Sequence, residues 1–164
     1  MSSWRLWKEP GGYVTDYYTD EAVKVIAANK DRPFFLYLAH WAPHRPLQAT
    51  KADYDALSHI KDPRLRVHAA MIRALDRGVG RVMEALKVNG IDDNTLVIFT
   101  SDNGAPGYNG LPDLNKPYRG WKLTFFEGGI HVPYFMRWPA RIKPGSRLEA
   151  PVHFIDMHPM ILLI

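Results

Sequence analysis

The chain contains no cysteine, and this absence removes several kinds of chemistry at once. Disulfides, thiolate zinc sites and a cysteine nucleophile are all excluded in this sequence. Long apolar runs are missing too, since none reaches the ~18 residues that a membrane-spanning helix needs. Residues 1–8 have no apolar core, so we do not expect them to form a signal peptide.

A concentrated patch of one charge is also lacking. The 164 residues include 21 Lys and Arg and 17 Asp and Glu, which gives a formal net charge of +4. The basic residues are spread along the chain, which is not the pattern of a nucleic-acid-binding stripe. A hydrophobic content of 46% is enough for a globular core, and the length suits one domain. We therefore expect a globular protein that does not bind nucleic acid.

Helices are predicted from capping residues and apolar periodicity. Thr19 is a suitable N-cap, with acidic residues directly after it. Pro63 begins the longest periodic stretch, and Asn89 with Gly90 ends it. Asp156 precedes a short apolar stretch near the end of the sequence, and we expect it to cap a helix there.

Strands are predicted where short apolar runs lie between these helices. Residues 34–38 and 95–100 are typical of buried parallel strands, and a third strand is expected near residues 132–138. A proline-containing loop at residues 40–50 follows the first strand, and a loop rich in Gly, Pro and Asn occupies residues 104–120. This order predicts an α/β fold with a partly parallel sheet.

The two ends of the sequence are unusual for a complete domain. No strand pattern precedes the first helix, and residues 161–164 are Ile-Leu-Leu-Ile. A natural domain seldom ends on such an exposed apolar run. We therefore expect the chain to be a segment of a longer protein.

Asp102, Asn103 and Gly104 directly follow the strand predicted at residues 95–100. Open α/β sheets bind ligands at this position, outside the carboxyl ends of their strands. Asp102 and Asn103 offer a carboxylate and an amide oxygen, which suit a hard cation such as calcium. Calcium takes about six to eight oxygens, so further ligands must come from elsewhere. The alternative is that Asp-Asn-Gly is a simple turn.

Two cations follow in a glycine-containing loop. Lys122 carries a compact charge that suits a tetrahedral oxyanion, and Arg119 is a second candidate for binding an anionic substrate. Glu127, in a Glu-Gly-Gly sequence, is expected either to hold one of these cations or to mark a turn. The alternative for both cations is an ordinary solvated side chain.

His44 lies between two prolines in the sequence Ala-Pro-His-Arg-Pro. A histidine, with an ordinary pKa of ~6.5, can donate a proton to a leaving group. A histidine that binds backbone in a rigid turn is an equally good interpretation of this loop. Five other histidines have no comparable setting and are interpreted as structural: His40, His59, His68, His153 and His158.

Four motifs together resemble the later part of the sulfatase family, whose fold is shared with alkaline phosphatase. They are Ala-Pro-His-Arg-Pro-Leu-Gln at residues 42–48, Phe-Thr-Ser-Asp-Asn-Gly at 99–104, Arg-Gly-Trp-Lys at 119–122 and Glu-Gly-Gly at 127–129. Each motif is weak alone, but the four in this order are specific. The resemblance covers roughly residues 10–164. It implies a mixed, mostly parallel sheet flanked by helices, which would be incomplete in this chain.

The resemblance also implies a role for each candidate residue. Asp102 and Asn103 match the calcium ligands of the family. Lys122 matches the lysine that contacts the sulfate, and His44 matches the histidine beside the sulfate and the leaving-group oxygen. The implied activity is hydrolysis of a sulfate ester on a small molecule or carbohydrate, with bound calcium.

The sequence departs from the family pattern in several places. The family's nucleophile is a formylglycine made from Cys or Ser in a Cys/Ser-x-Pro-x-Arg motif, and this motif is missing here. The paired aspartates of the family's first strand are missing as well. Smaller departures are Thr50, His131 and Ala140, where the family usually has Pro, Arg and Gly. We therefore expect the nucleophile in an upstream part and no activity from this chain alone.

Two further interpretations stay open on the sequence. One is a phosphate or phosphonate monoester hydrolase of the same superfamily, which would need additional Asp and His ligands. The other is a non-catalytic remnant or interaction module that kept the fold. Partly missing strands also predict exposed edges through which the chain would self-associate.

Overall fold

The computed structural model describes residues 11–164. Residues 1–10, which include the stretch predicted not to form a signal peptide, lie outside the described residues. The elements are α1 (Val14–Asn29), α2 (Lys51–Asp55), α3 (Pro63–Val88), β1 (Val97–Thr100), α4 (Glu127–Ile130), β2 (Tyr134–Arg137) and α5 (Met157–Leu162), with 3₁₀ helices at Gly107–Asn109 and Phe154–Asp156. Within the described residues, no helix is both long and apolar enough to span a membrane.

Helix α3 confirms the predicted long helix at both ends. Asp62 is its N-cap, and the Asp62 carboxylate accepts a hydrogen bond from the Leu65 N–H at 2.8 Å. Pro63 occupies the first turn, where its missing N–H costs nothing. Asn89 is the C-cap, and its N–H donates to the Ala85 carbonyl at 3.2 Å.

Helix α1 begins at Val14, so the prediction that Thr19 caps it is wrong. Thr19 is buried inside the helix, and its hydroxyl donates to the Thr15 carbonyl at 2.9 Å. The backbone carbonyl of its own helix thus satisfies the hydroxyl that was expected to cap. Gly78 of α3 lies against this threonine, since a Cβ on Gly78 would sit 2.5 Å from Thr19 Oγ1. The two helices therefore approach closely at this point.

The core lies where α1 and α3 meet the extended chain beside them. Its fully buried members are Ile26, Ala85 and Leu86. Partly buried apolar side chains surround these three: Val23, Phe34, Leu36, Val82, Met83, Ile91 and Val97. Both helices therefore present one apolar face to the same core, as amphipathic helices do.

The two strands confirm the runs predicted at residues 95–100 and 132–138, with shorter bounds. They pair antiparallel, with Val97 opposite Arg137 and Thr100 opposite Tyr134. This is the strand pair found in residues 11–164, so the predicted parallel pairing is not formed among them.

Residues 34–38 are extended but form no strand in the described structure, so the strand predicted there is absent. Their side chains still alternate as in a strand, because Phe34 and Leu36 contact the core. Phe35 and Tyr37 are 74% and 82% exposed. The sequence has the pattern of a strand, and the neighbour that would make it one is not present among residues 11–164.

Asp156 stands at the start of α5 as predicted, but its side chain does not cap that helix. It accepts a hydrogen bond from the His153 N–H at 2.7 Å. The His153 ring in turn accepts from the Ile155 N–H at 3.2 Å. His153 and Asp156 therefore form a capping box for the 3₁₀ helix Phe154–Asp156, in which His153 is the N-cap and Asp156 the third residue.

Candidate functional site

The Asp-Asn-Gly sequence forms a turn immediately after β1, which ends at Thr100. Asp102 is exposed at the tip and Asn103 is half-buried. The Ser101 hydroxyl donates to the Asn103 carbonyl at 3.2 Å, which stabilises the bend. The polar oxygens therefore lie just beyond the strand end, where the sequence placed them.

Gly104 packs directly against the two glycines of the Glu-Gly-Gly sequence. Its N–H donates to the Gly129 carbonyl at 3.0 Å. A Cβ on Gly104 would fall well inside the contact distance of the Gly128 carbonyl oxygen. Only glycine fits here, because the obstacle is backbone and cannot rotate away. The Asp102 turn and α4 are thus held in one arrangement.

Lys122 is tied to the same turn through its backbone. Its N–H donates to the Ala105 carbonyl at 3.3 Å, and its side chain is half-buried. The Thr124 hydroxyl closes a tight turn around it by donating to the Trp121 carbonyl at 2.7 Å. The next residue, Leu123, has φ of 79°, a left-handed backbone that is uncommon for a residue with a side chain. Such backbone strain often accompanies functional sites.

Asn115 connects the two sides of this arrangement, and sequence reasoning missed it. Its side-chain oxygen accepts from the Ala105 N–H at 2.8 Å, and its amide donates to the Ala105 carbonyl at 2.8 Å. The same amide also lies 3.3 Å from the Gly120 carbonyl. Asn115 therefore joins the segment after Asp102 to the segment before Lys122. One asparagine in a loop rich in Gly, Pro and Asn gives no local signal of this role.

Arg119 lies on the same connection, with its guanidinium over the Phe126 ring at 4.1 Å from the centroid. Its carbonyl accepts from the Gly128 N–H at 2.7 Å. Glu127 does not hold either cation: its carboxylate lies 2.7 Å from the Nδ1 of His131. The His131 ring in turn packs 4.6 Å from that of Tyr118. Of the two expectations for Glu127, the ion pair with Lys122 or Arg119 is wrong within the described structure.

His44 lies in a separate loop, exposed to solvent. Its N–H donates to the Trp41 carbonyl at 2.7 Å, and its Nδ1 lies 2.9 Å from the Arg45 carbonyl. When Nδ1 carries the proton for this bond, Nε2 is left free for a ligand. The guanidinium of Arg45 lies 4.5 Å from the centre of the Tyr108 ring. This contact links the His44 loop to the loop that follows Asp102.

The structure thus brings two candidate sets together through the backbone: the Asp102 turn and Lys122 with Arg119. The contact between Arg45 and Tyr108 brings the loop of His44 against the loop that follows Asp102. Among residues 11–164, no three His, Asp or Glu side chains come close enough to hold a metal. The two oxygens of Asp102 and Asn103 have the right chemistry for calcium, but they fit only part of its shell.

A buried carboxylate outside this region was also missed. Asp53 belongs to α2, is 1% exposed, and binds Arg73 and Arg77 of α3 through its carboxylate. Burial alone would raise its pKa, but hydrogen bonds from Arg77, Thr50 and Arg73 outweigh burial and lower it. The spacing of Thr50 and Asp53, three residues apart at a helix start, resembles a capping box and is the signal that could have revealed it.

The structural role of the other histidines stays a prediction, and two of them, His40 and His68, are partly or fully buried. Burial lowers the pKa of His40 and of His68, which favours their neutral form. His68 is 6% exposed on α3, inside the helical layer. Neither residue lies among the candidate site residues.

Comparison with known proteins identifies the family of this chain. A sequence model of the sulfatase family matches residues 2–163. The chain is 39% identical over 154 residues to the uncharacterized sulfatase YdeN of Escherichia coli K12, covering 92% of this chain and 27% of that protein. It is 35% identical over 153 residues to mouse arylsulfatase J, covering 93% of this chain and 25% of that protein.

Solved structures agree with the sequence comparison. The crystal structure of Ps i-CgsB in complex with k-i-k-neocarrahexaose superposes with a TM-score of 0.90 at 40% identity. The match covers 98% of this chain and 36% of that one, so the chain spans about a quarter to a third of the length of these relatives. The predicted fold class, an incomplete α/β segment of the alkaline-phosphatase-like type, is confirmed. This chain belongs to the sulfatase family.

Proposed function

We propose that this chain forms the carboxyl-side part of a sulfatase catalytic domain and that the whole protein hydrolyses a sulfate ester. The observation that carries the proposal is the backbone connection between the Asp102 turn and Lys122. The Gly104 N–H donates to the Gly129 carbonyl, and the Lys122 N–H donates to the Ala105 carbonyl. These backbone hydrogen bonds hold the proposed cation site and the proposed anion site next to each other. Family membership supports the reaction class.

Each side chain has a distinct role in the proposed reaction. Lys122 and Arg119 bind the sulfate oxygens, where negative charge is present and redistributes during reaction. His44, as the imidazolium, gives the Nε2 proton to the leaving-group oxygen, while its Nδ1–H stays bound to the Arg45 carbonyl and the ring is left neutral. Asp102 and Asn103 would hold calcium, which supplies positive charge next to the sulfate.

The nucleophile is expected outside this chain. Without cysteine, and without a serine in the Ser-x-Pro-x-Arg context, no residue here can become a formylglycine. The remaining calcium oxygens are expected from the same upstream part. The segment therefore binds and orients the ester, and another part of the whole protein supplies the nucleophile.

A sulfated carbohydrate is the proposed substrate class. Ps i-CgsB, which is 40% identical to this chain over the matched region, was crystallised with a neocarrahexaose. Exposed aromatic rings lie on the loops around the site and offer apolar faces to a sugar ring: Tyr108, Tyr118 and Trp121 are 48%, 43% and 48% exposed. The exposed Phe35 and Tyr37 also support the proposal that the segment alone self-associates.

Lys122→Ala in the full-length protein tests the role of the cation. A positive charge placed on developing negative charge is worth on the order of 3 kcal/mol, so kcat should fall about 100-fold. Lys116→Ala is the matched control, because Lys116 lies in the same loop but pairs with Asp113 at 2.9 Å. It should keep full activity.

The assay compares an aryl sulfate, a sulfated oligosaccharide and an aryl phosphate. Hydrolysis of the sulfates, lost in Lys122→Ala and kept in Lys116→Ala, is the expected result. Preference for the phosphate would favour the phosphomonoesterase alternative. A wild-type protein that hydrolyses none of the three would favour the non-catalytic alternative.

A further inference from the structure

Asp53 is the most extensively bound carboxylate in the described part of the chain. Arg77 donates to both of its oxygens, at 2.6 and 3.1 Å, and Arg73 donates to one of them. The Thr50 hydroxyl donates to the other at 2.8 Å and accepts from the Asp53 N–H at 3.1 Å. Arg77 also reaches Asp16 of α1 at 2.9 Å. One buried carboxylate therefore fixes α2 on both long helices.

The Asp53 anchor lies at the end of the loop that carries His44. Thr50 is the N-cap of α2 and the last residue of that loop, so Asp53 holds the point where the loop ends. Tyr13 adds a second attachment, because its hydroxyl donates to the Gln48 carbonyl at 3.0 Å. Between Gln48 and His44 lie only Leu47, Pro46 and Arg45, and proline restricts the backbone further. Loss of the Asp53 anchor would therefore leave the short connection to His44 held less firmly at its Thr50 end.

Charge makes this anchor sensitive to substitution. Asp53 is 1% exposed, and its partners Arg73 and Arg77 are long side chains that point at it from successive turns of α3. Their hydrogen bonds keep its pKa low despite burial, so the carboxylate is ionised at neutral pH. Neutralising it leaves two arginines competing for an amide that can accept at one atom only.

We propose that Asp53 is a positioning residue for His44, which it holds in place through Thr50 and α2. The inference rests on the proposed function, since it assigns Asp53 to the proton donor of that reaction. Asp53 itself does not touch the substrate. Its effect is on where the His44 ring lies relative to the leaving-group oxygen.

Leaving-group dependence distinguishes this role from a merely structural one. A proton donor matters most when the departing oxygen is strongly basic and least when it is weakly basic. Misplacing His44 should therefore slow hydrolysis of an alkyl or sugar sulfate much more than that of a nitrophenyl sulfate. A general loss of folded protein would reduce both rates by the same factor.

The test compares Asp53→Asn with Asp20→Asn in the full-length protein on both substrates. Asp20 is the matched control, because it joins α1 to α3 through Arg81 at 2.6 Å without contacting α2. In Asp53→Asn, kcat on the sugar sulfate should fall at least ~10-fold, while the nitrophenyl rate changes less than ~3-fold. In Asp20→Asn, both rates should stay near those of the wild type.

Thr50→Val provides a second variant if Asp53→Asn fails to fold by circular dichroism. It removes the hydroxyl that joins Asp53 to the loop and leaves both arginines paired, and the same selective loss is expected. Equal losses on both substrates, or no loss, would overturn the inference while leaving the proposed function intact. A wild-type protein inactive on both sulfates would overturn the proposed function and this inference with it.

Discussion

Helices α1 and α3 bury their facing sides against each other, whereas the extended stretch at residues 34–38 leaves alternate side chains in water. Ile26 of α1 is 1% exposed, and Tyr37 is 82% exposed. Both belong to apolar patterns of the type that fills a core. The difference is that the partner of α1 lies within this chain, while the neighbouring strand of residues 34–38 does not lie among the described residues. The facing sides of the helices are therefore covered within the described residues, whereas the outer face of residues 34–38 is not covered among them.

The largest effect expected from this difference is the complete absence of activity in the 164-residue chain alone. It lacks a nucleophile, and Asp102 with Asn103 supplies too few oxygens for firm calcium binding. Its exposed apolar side chains should also cause self-association. A purified, calcium-supplied sample is assayed on an aryl sulfate, and its mass is measured in solution. Turnover by a stable monomer would contradict the prediction that this chain needs a nucleophile and calcium ligands from elsewhere.

One substitution in α1 and one in residues 34–38 show the same difference in the free energy of unfolding. Ile26→Ala should lower the free energy of unfolding by about 2–5 kcal/mol, because it leaves a cavity in a packed core. Tyr37→Ala should change it by less than ~0.5 kcal/mol in the 164-residue chain, as for most surface positions. Urea unfolding followed by circular dichroism gives both values. In the full-length protein Tyr37→Ala should become costly, and a neutral effect there would argue against a covering strand.

Gly104→Ala in the full-length protein tests whether the contact between Gly104 and α4 holds the Asp102 turn in place. The new methyl group would collide with the Gly128 carbonyl and push the Asp102 turn away from α4. A displacement of ~1 Å can reduce turnover by about 100-fold. Gly80→Ala is the matched control, because a Cβ at Gly80 on the surface of α3 meets nothing within 4 Å. That variant should gain up to ~1 kcal/mol of stability and keep its kcat. Equal kcat in the two variants would remove the proposed support.

The smallest predicted effect is on the pH dependence of stability and concerns His68 of α3. Burial holds the pKa of His68 below the ordinary histidine value of 6.5. The unfolded chain therefore takes up the proton first, and stability should fall as the pH drops below about 6.5 until the folded pKa is reached. Urea midpoints between pH 7.5 and 5 should depend less on pH in His68→Phe. An unchanged pH dependence of the midpoint in His68→Phe would contradict this prediction.

Local signals explain which helices could be predicted. Asp62, Pro63 and Asn89 act within a few residues of the α3 ends, so the sequence alone locates them. Thr19 misled the prediction because a threonine hydroxyl also binds the carbonyl four residues back inside a helix. The absence of a strand partner for residues 34–38 among the described residues could not be predicted, because strand pairing depends on segments that are distant in sequence.

The site divides in the same way. Asp102, Lys122 and His44 could be named from residue type and motif order, because their chemistry is local. The close approach of Gly104 to α4, the double hydrogen bond of Asn115 and the buried Asp53 depend on contacts between distant segments. No local pattern encodes such contacts, apart from the Thr50–Asp53 spacing, which marks a helix start and not the arginines that bind there.

The most direct test of the central claim is a crystal structure of the full-length protein with calcium and inorganic sulfate. The Lys122 ammonium should contact the sulfate, and oxygens of Asp102 and Asn103 should bind calcium at about 2.3–2.6 Å. The His44 ring should face the same ion. A sulfate bound elsewhere, or a His44 or Lys122 side chain more than ~15 Å from Asp102, would contradict the claim, since no small oxyanion could bridge them.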